Sequence, residues 1–124
     1  DAPPVTPSLP FASDLHLRLS REFARVYRDG RRARGTFMTL IAYTGDDAVS
    51  FKAGLSVRKK DYRRAVDRAR VKRRLREIVR HARPSLSPRL WLVVIAHRGI
   101  TSASFADLTA EFSRLCDRIS VRLP

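Results

Sequence analysis

Apolar residues first recur at helical spacing at Phe23, Val26 and Tyr27, with Ser20 placed to cap the start and Asp29-Gly30 to end it, which predicts a short first helix. From Thr36 to Tyr43 the residues are β-branched, aromatic or apolar, and Thr44-Gly45-Asp46-Asp47 then reads as a turn. Beyond it Val49, Phe51, Ala53, Leu55 and Val57 alternate with Ser50, Lys52, Gly54 and Ser56, so two antiparallel strands in a hairpin are predicted. Val71, Leu75, Ile78, Val79 and Ala82 fall within a ~100° arc at about 100° per residue, giving a helix from Ala65 to Ala82 with one apolar face, which Pro84 and Pro88 end. Leu90 to Ala96 is an unbroken apolar run of strand length, expected at the centre of the sheet and covered on both faces. Ser104 can cap a last helix carrying Phe105, Leu108, Phe112, Leu115, Cys116 and Ile119, with Asp107 and Glu111 near its positive end. The predicted order is α-β-β-α-β-α, a compact α/β (α+β) single domain. Four of the seven prolines lie in Asp1–Pro10, so residues 1–14 read as a disordered tail and residues 15–124 as the domain.

Charge changes this picture from a fold into a surface. The chain has 26 basic and 12 acidic residues for a net charge of +14, and only Lys52, Lys59, Lys60 and Lys72 among the basic residues are not arginine. The planar guanidinium fits phosphate bidentately, so a polyanion is the expected partner. Half of these cations lie between Arg58 and Arg83, against Asp61, Asp67 and Glu77 alone. On the helix predicted there, Ala69, Arg73, Arg76 and Arg80 follow at i, i+4, i+7 and i+11 with Arg70 beside them, opposite the apolar arc. With Glu77 only near its edge, such a stripe repels itself unless it is solvated or meets phosphate, and a nucleic-acid surface is the reading it supports. The longest apolar run has seven residues, far short of the ~20 that span a bilayer, and no signal peptide is recognisable, so a cytoplasmic protein without a membrane partner is expected.

Material for catalysis by the chain itself is poor. Asp46 and Asp47 belong to turn chemistry, Asp107 and Glu111 to a helix start, and His16, His81 and His97 have no partner nearby in sequence. Cys116, the only cysteine, falls on the apolar face of the last helix, and no metal-ligand spacing is present.

The residues Ala53-Gly54-Leu55-Ser56-Val57-Arg58-Lys59-Lys60, followed by Arg64-Ala65-Val66-Asp67-Arg68-Ala69-Arg70-Val71-Lys72-Arg73-Arg74-Leu75-Arg76-Glu77, closely resemble the signature of the bacterial ribonuclease P protein subunit. Arg21 to Gly30 is similar to that family's first helix, and Leu92 to Ala96 with the segment from Ser104 is similar to its last strand and helix, so the likeness runs from Leu17 to Leu123. It implies a central sheet with a left-handed β-α-β crossover, against the usual preference. It also implies an endoribonuclease whose RNA subunit holds the catalytic Mg2+ and removes the 5′ leader of precursor tRNA, with one protein monomer per RNA that is inactive alone. Carried over, the family's Arg-Asn-Arg motif falls on Arg68, Ala69 and Arg70, and Lys72, Arg73 and Arg76 continue a surface toward the RNA subunit. Lys59, Lys60, Phe23, Tyr27, Phe37 and Ile41 correspond to the leader-binding face. Two positions depart from the pattern: Ala69 stands where Asn is usual, and Arg63-Arg64 where Gly-Asn is common. The other reading of the same stripe is a basic structural RNA-binding protein of ribosomal type, without a part in catalysis.

Overall fold

The computed structural model describes residue 17 and residues 20–121. The proline-rich segment and the boundary proposed at residue 15 lie outside the described residues. Three helices and four strands follow in the order α1 (Ser20–Asp29), β1 (Arg31–Arg34), β2 (Met38–Tyr43), β3 (Lys52–Ser56), α2 (Ala65–Ala82), β4 (Trp91–Ala96) and α3 (Phe105–Arg118). The result is a mixed α+β domain with one sheet, ordered β1-β2-β4-β3.

The apolar run behaves as its composition requires. β4 lies inside the sheet, antiparallel to β2 and parallel to β3, and α2 makes the crossover from β3 to β4. Leu92 and Val94 enter the larger core with Val71, Leu75, Ile78 and Val79 of α2 and Leu108, Phe112 and Leu115 of α3. Trp91 and Val93 enter the smaller core, where Val26 of α1 packs against Ile41 and Tyr43. The helix predicted over Ala65–Ala82 has those bounds, and Ser104 caps α3 by accepting from the Asp107 amide while the Asp107 carboxylate accepts from Ser104 N–H.

Two expectations are corrected. The strands before and after the Thr44–Asp47 turn do not form a hairpin: among the described residues β2 pairs with β1 and β4, and β3 pairs with β4 alone. A hairpin between them would push the apolar β4 to an edge, whereas inserting β4 covers both of its edges with backbone partners. Val49, expected in the second strand, is exposed, and β3 begins only at Lys52. The second correction is an added element. Arg31–Arg34 is an edge strand that hydrophobic alternation could not announce, because Ala33 is its one buried residue.

Gly30 closes α1 for a reason other than a left-handed turn. A Cβ there would lie 2.5 Å from the Val26 carbonyl and 2.7 Å from Ile41 Cγ2, so glycine lets the chain turn directly against β2.

Glu111, expected to complement the start of α3, instead has only 2% of its surface exposed. Its Oε1 accepts from the amides of Phe37 (2.7 Å) and Met38 (3.0 Å), and its Oε2 from that of Thr36 (2.8 Å). The carboxylate thereby holds the bend between β1 and β2, and Gly35 lies so close that a Cβ would come within 2.5 Å of the carboxyl carbon. Glu111→Ala leaves three amides without an acceptor and should cost about 3 kcal/mol or more in a denaturant titration. Gly35→Ala should destabilise through the same contact, so the double variant should lose clearly less than the sum of the two; simple additivity would show that the clamp is not shared.

Candidate nucleic-acid interface

α2 divides its cations into two groups. Its apolar arc is buried against the sheet and α3, which leaves the opposite side to solvent. Ala69, Arg70 and Arg73 are exposed, and Lys72 and Arg76 half-buried. Among the described residues the side chains of Arg70, Lys72, Arg73 and Arg76 make no hydrogen bond or ion pair, although, behind the Arg64 hydrogen bond, the Arg70 charge helps hold the Asp67 carboxyl down. The other arginines are engaged within the protein. Arg68 Nη1 donates to the carbonyls of Tyr62 (2.8 Å) and Arg63 (2.9 Å), and Arg74 Nη2 donates to that of Ala103 (2.9 Å). Arg64 pairs with Asp67 at 3.0 Å, and this hydrogen bond holds the Asp67 carboxyl below its ordinary range.

Arg80 corrects the sequence reading of the stripe. Its guanidinium donates to Glu77 Oε1 at 2.5 Å and Oε2 at 3.1 Å, so Glu77 does pair with the stripe and ends its free part near Arg76. The bond from Arg80, with the nearby His81, keeps the Glu77 carboxyl below its usual value, despite an opposing effect of burial.

The loop that carries Lys59 and Lys60 is held by bonds of its own. Asp61 N–H and Tyr62 N–H both donate to the Arg58 carbonyl, closing a turn that leaves both lysines exposed. The Asp61 carboxylate, 3% exposed, meets Arg58 at 3.0 Å and Arg98 at 3.5 Å. Buried Tyr62 donates its hydroxyl to the His97 carbonyl at 2.7 Å. This joins the loop after β3 to the one after β4.

On the far face of the sheet, register rather than sequence spacing decides what lies together. Arg32, Ile41, Val93 and Gly54 form one row across the four strands; Arg34, Thr39, Ile95 and Ser56 form the next. α1 lies over the first row. Phe23 rests on Gly54, where a Cβ would stand 2.6 Å from the ring, and Tyr27 lies beside Arg32, whose guanidinium is 5.8 Å from the ring centroid. Both aromatic rings are half-buried, so each gives part of its surface to the smaller core and part to solvent. Ile41 is 0% exposed beneath the helix, so the expectation of a leader-contacting side chain there is corrected to a core role. Phe37 precedes β2 and packs on the opposite core, so it does not share a face with Ile41 as expected. In the second row Ile95 and Ser56 remain half-exposed, and the Thr39 hydroxyl shares a 2.7 Å hydrogen bond with His97 Nε2. Sequence reasoning missed Arg32, Arg34, Ser56 and Ile95. Only strand pairing brings them beside Phe23 and Tyr27.

The model of the Ribonuclease P family matches residues 11–120. The chain belongs to this family. It is 38% identical over 109 residues to the ribonuclease P protein component of Acidothermus cellulolyticus, covering 87% of this chain and 90% of that protein. To the ribonuclease P protein component of Thioalkalivibrio sulfidiphilus it is 33% identical over 110 residues, covering 89% and 90%. Its fold matches the Staphylococcus aureus RNase P protein with a TM-score of 0.76 at 20% identity over 86% of this chain and 96% of that one. The Thermotoga maritima RNase P protein gives a TM-score of 0.72 at 22% identity over 84% and 96%.

As a ribonuclease P protein, the chain is the protein component of a tRNA-processing ribonucleoprotein and partners the RNA of that enzyme. The ribosomal-type alternative gives way to this family. No helix among the described residues is long and apolar enough to cross a membrane. For a ribonuclease P protein the division of cations on α2 has a direct energetic signature. Without RNA, Arg68→Ala and Arg74→Ala should each lower stability by about 0.5 to 1.5 kcal/mol, the worth of an ordinary hydrogen bond. Arg70→Ala and Arg73→Ala should stay within about 0.5 kcal/mol of the wild type. Equal losses at all four positions would mean that the stripe is structural.

Proposed function

We propose that this chain binds the ribonuclease P RNA through the free stripe of α2 and the 5′ leader of precursor tRNA through the α1 face of the sheet. The observation that carries this reading is the separation of the two surfaces: unpaired cations on one side, and on the other half-exposed aromatic rings beside the sheet row that α1 leaves uncovered. Phosphate contacts suit the first, because duplex and structured RNA offer a dense, regular backbone charge. Stacking suits the second, because single-stranded bases present their faces to aromatic side chains. Lys59 and Lys60 stand past the Ser56 end of that row, where they would meet the phosphates of a strand lying on it. Arg68 fits the interface as the residue that fixes this loop to α2, with Arg70, Lys72, Arg73 and Arg76 supplying the charge.

In this reading the protein is a monomer, one per RNA, and the endonucleolytic step belongs to the RNA subunit. Among the described residues no three His, Cys, Asp or Glu side chains gather. In this reading Mg2+ is held mainly by the RNA subunit, and no chemical step is routed through it on this chain.

The test is reconstitution. The protein freed of nucleic acid should not cleave precursor tRNA, and activity should return with the RNA subunit and Mg2+; turnover that persists after stringent removal of RNA would overturn the assignment. With the holoenzyme, Phe23→Ala or Tyr27→Ala should weaken precursor tRNA by about 1 to 3 kcal/mol and leave mature tRNA nearly unchanged. Equal losses for both substrates would place the leader elsewhere.

The α2 surface is tested by salt. Arg73→Ala should weaken assembly with the RNA subunit and reduce the slope of log affinity against log salt by roughly 0.7 to 0.9. An unchanged slope would move the RNA to another surface. Ala69→Asn, which introduces an amide able to donate and accept, should leave assembly unchanged or improve it by no more than about 1.5 kcal/mol.

A further inference from the structure

The β1 arginines belong to neither surface as sequence spacing defines them. β1 is an edge strand bonded only to β2, and Arg31, Arg32 and Arg34 are all exposed. Side chains alternate along a strand, and buried Ala33 fixes the phase: it enters the larger core, so Arg32 and Arg34 point to the α1 face and Arg31 to the other. Arg32 begins the row that α1 covers and Arg34 begins the open one. The opposite end of the open row is Ser56, followed by the turn with Lys59 and Lys60. A trough therefore crosses the sheet with cations at both ends, its floor half-exposed at Ile95 and Ser56 and buried at Thr39, whose hydroxyl is hydrogen-bonded to His97 Nε2.

Its width suits a single strand. Three inter-strand spacings separate β3 from β1, about 14 Å in all, a span that a few nucleotides bridge. Among the described residues the Arg34 guanidinium makes no hydrogen bond or ion pair; only the Arg34 carbonyl is engaged, by Arg118 at 3.3 Å. Arg32 Nη2 donates to the Tyr27 carbonyl at 3.3 Å, which leaves its other donors available and sets the charge beside the ring. The carboxylates behind this bend lie on the α3 side: Glu111 is taken up by three backbone amides, and Asp117 lines a cavity there with Arg34 and Arg118 but makes no ion pair with Arg34.

We propose that Arg32 and Arg34 are phosphate-contacting residues for the distal part of the precursor tRNA leader, which crosses the sheet from the Lys59-Lys60 turn toward β1. The proposal rests on the leader-binding reading of the α1 face and extends it by a direction and an end point. The other role open to such arginines is to keep an exposed strand edge from pairing with another chain. Arg31 separates the two roles, because it guards the same edge while facing away from the trough.

The experiment measures binding of precursor tRNAs whose leaders lengthen one nucleotide at a time to the reconstituted holoenzyme. Wild type should gain affinity with each added nucleotide until the leader reaches β1, then level off. Arg32→Ala with Arg34→Ala should abolish the last increments, roughly a tenfold loss for long leaders, with none for the shortest. The salt slope for long leaders should fall by about 0.7 for each contact removed. Replacing both by lysine should recover most of the loss, and Arg31→Ala should leave the length dependence as in wild type. Thermal unfolding of each variant identifies any general loss of fold.

If wild type shows no leader dependence, the leader-binding reading itself fails. If wild type shows it and the double alanine variant keeps every increment, only the β1 assignment falls. Equal effects from Arg31→Ala, a loss that is the same at every leader length, or weaker assembly with the RNA subunit alone would also overturn it.

Discussion

An apolar strand that must be hidden on every side sets the architecture. Trp91 to Ala96 offers six consecutive residues without a charge, and only a strand with neighbours at both edges and helices on both faces removes them from water. Parallel pairing with β3 then requires a long crossover, and α2 is that crossover. Once its apolar arc is spent on the core, the cations of α2 can point only outward. The exposed cationic face of α2 is in this sense the remainder of a packing problem.

Electrostatics decides which of those cations are available. A net charge of +14 on 124 residues opposes compaction, and the fold answers by committing particular guanidinium groups to carboxylates and carbonyls. Arg58 and Arg98 share Asp61, Arg64 takes Asp67, Arg80 takes Glu77, and Arg68 and Arg74 bind backbone oxygens. Most of these bonds brace the loop before α2 and the turns beside it. The cations left over, from Arg70 to Arg76, repel one another along one exposed face. Such repulsion costs the free protein some stability, and neutralisation by phosphate would relieve it, which suits the RNA-binding role proposed for this face.

How much of this was legible in the sequence follows from the kind of signal each element carries. α2, β4 and α3 were readable because each has a periodic or continuous apolar pattern, and in α3 a capping serine as well. β1 was not, since Arg-Arg-Ala-Arg has one buried side chain and pairs through backbone alone. The partner of β3 was misread because alternation reports which face is buried and says nothing about which strand lies alongside. Ile41 and Phe37 failed for a related reason: which core each enters depends on where β2 begins, and it begins at Met38, one residue after Phe37. Glu111 was misplaced because its partners lie more than seventy residues away in sequence.

The same limit explains why the stripe was found and the trough was not. A helical surface is local: residues three and four apart share a face, so charge spacing in one segment of sequence defines it. A sheet surface is assembled from strands distant in the chain, and the row Arg34, Thr39, Ile95, Ser56 unites four elements through register alone. Glycine makes that assembly work at two points. At Gly54 the missing side chain gives Phe23 its seat on β3, and at Gly30 it lets the chain leave α1 directly against β2, which delivers β1 and its arginines to the edge of the same face. A bulkier residue at either position would separate helix from sheet. The aromatic rings and the β1 cations would then no longer border one surface, although every charged residue of the chain were unchanged.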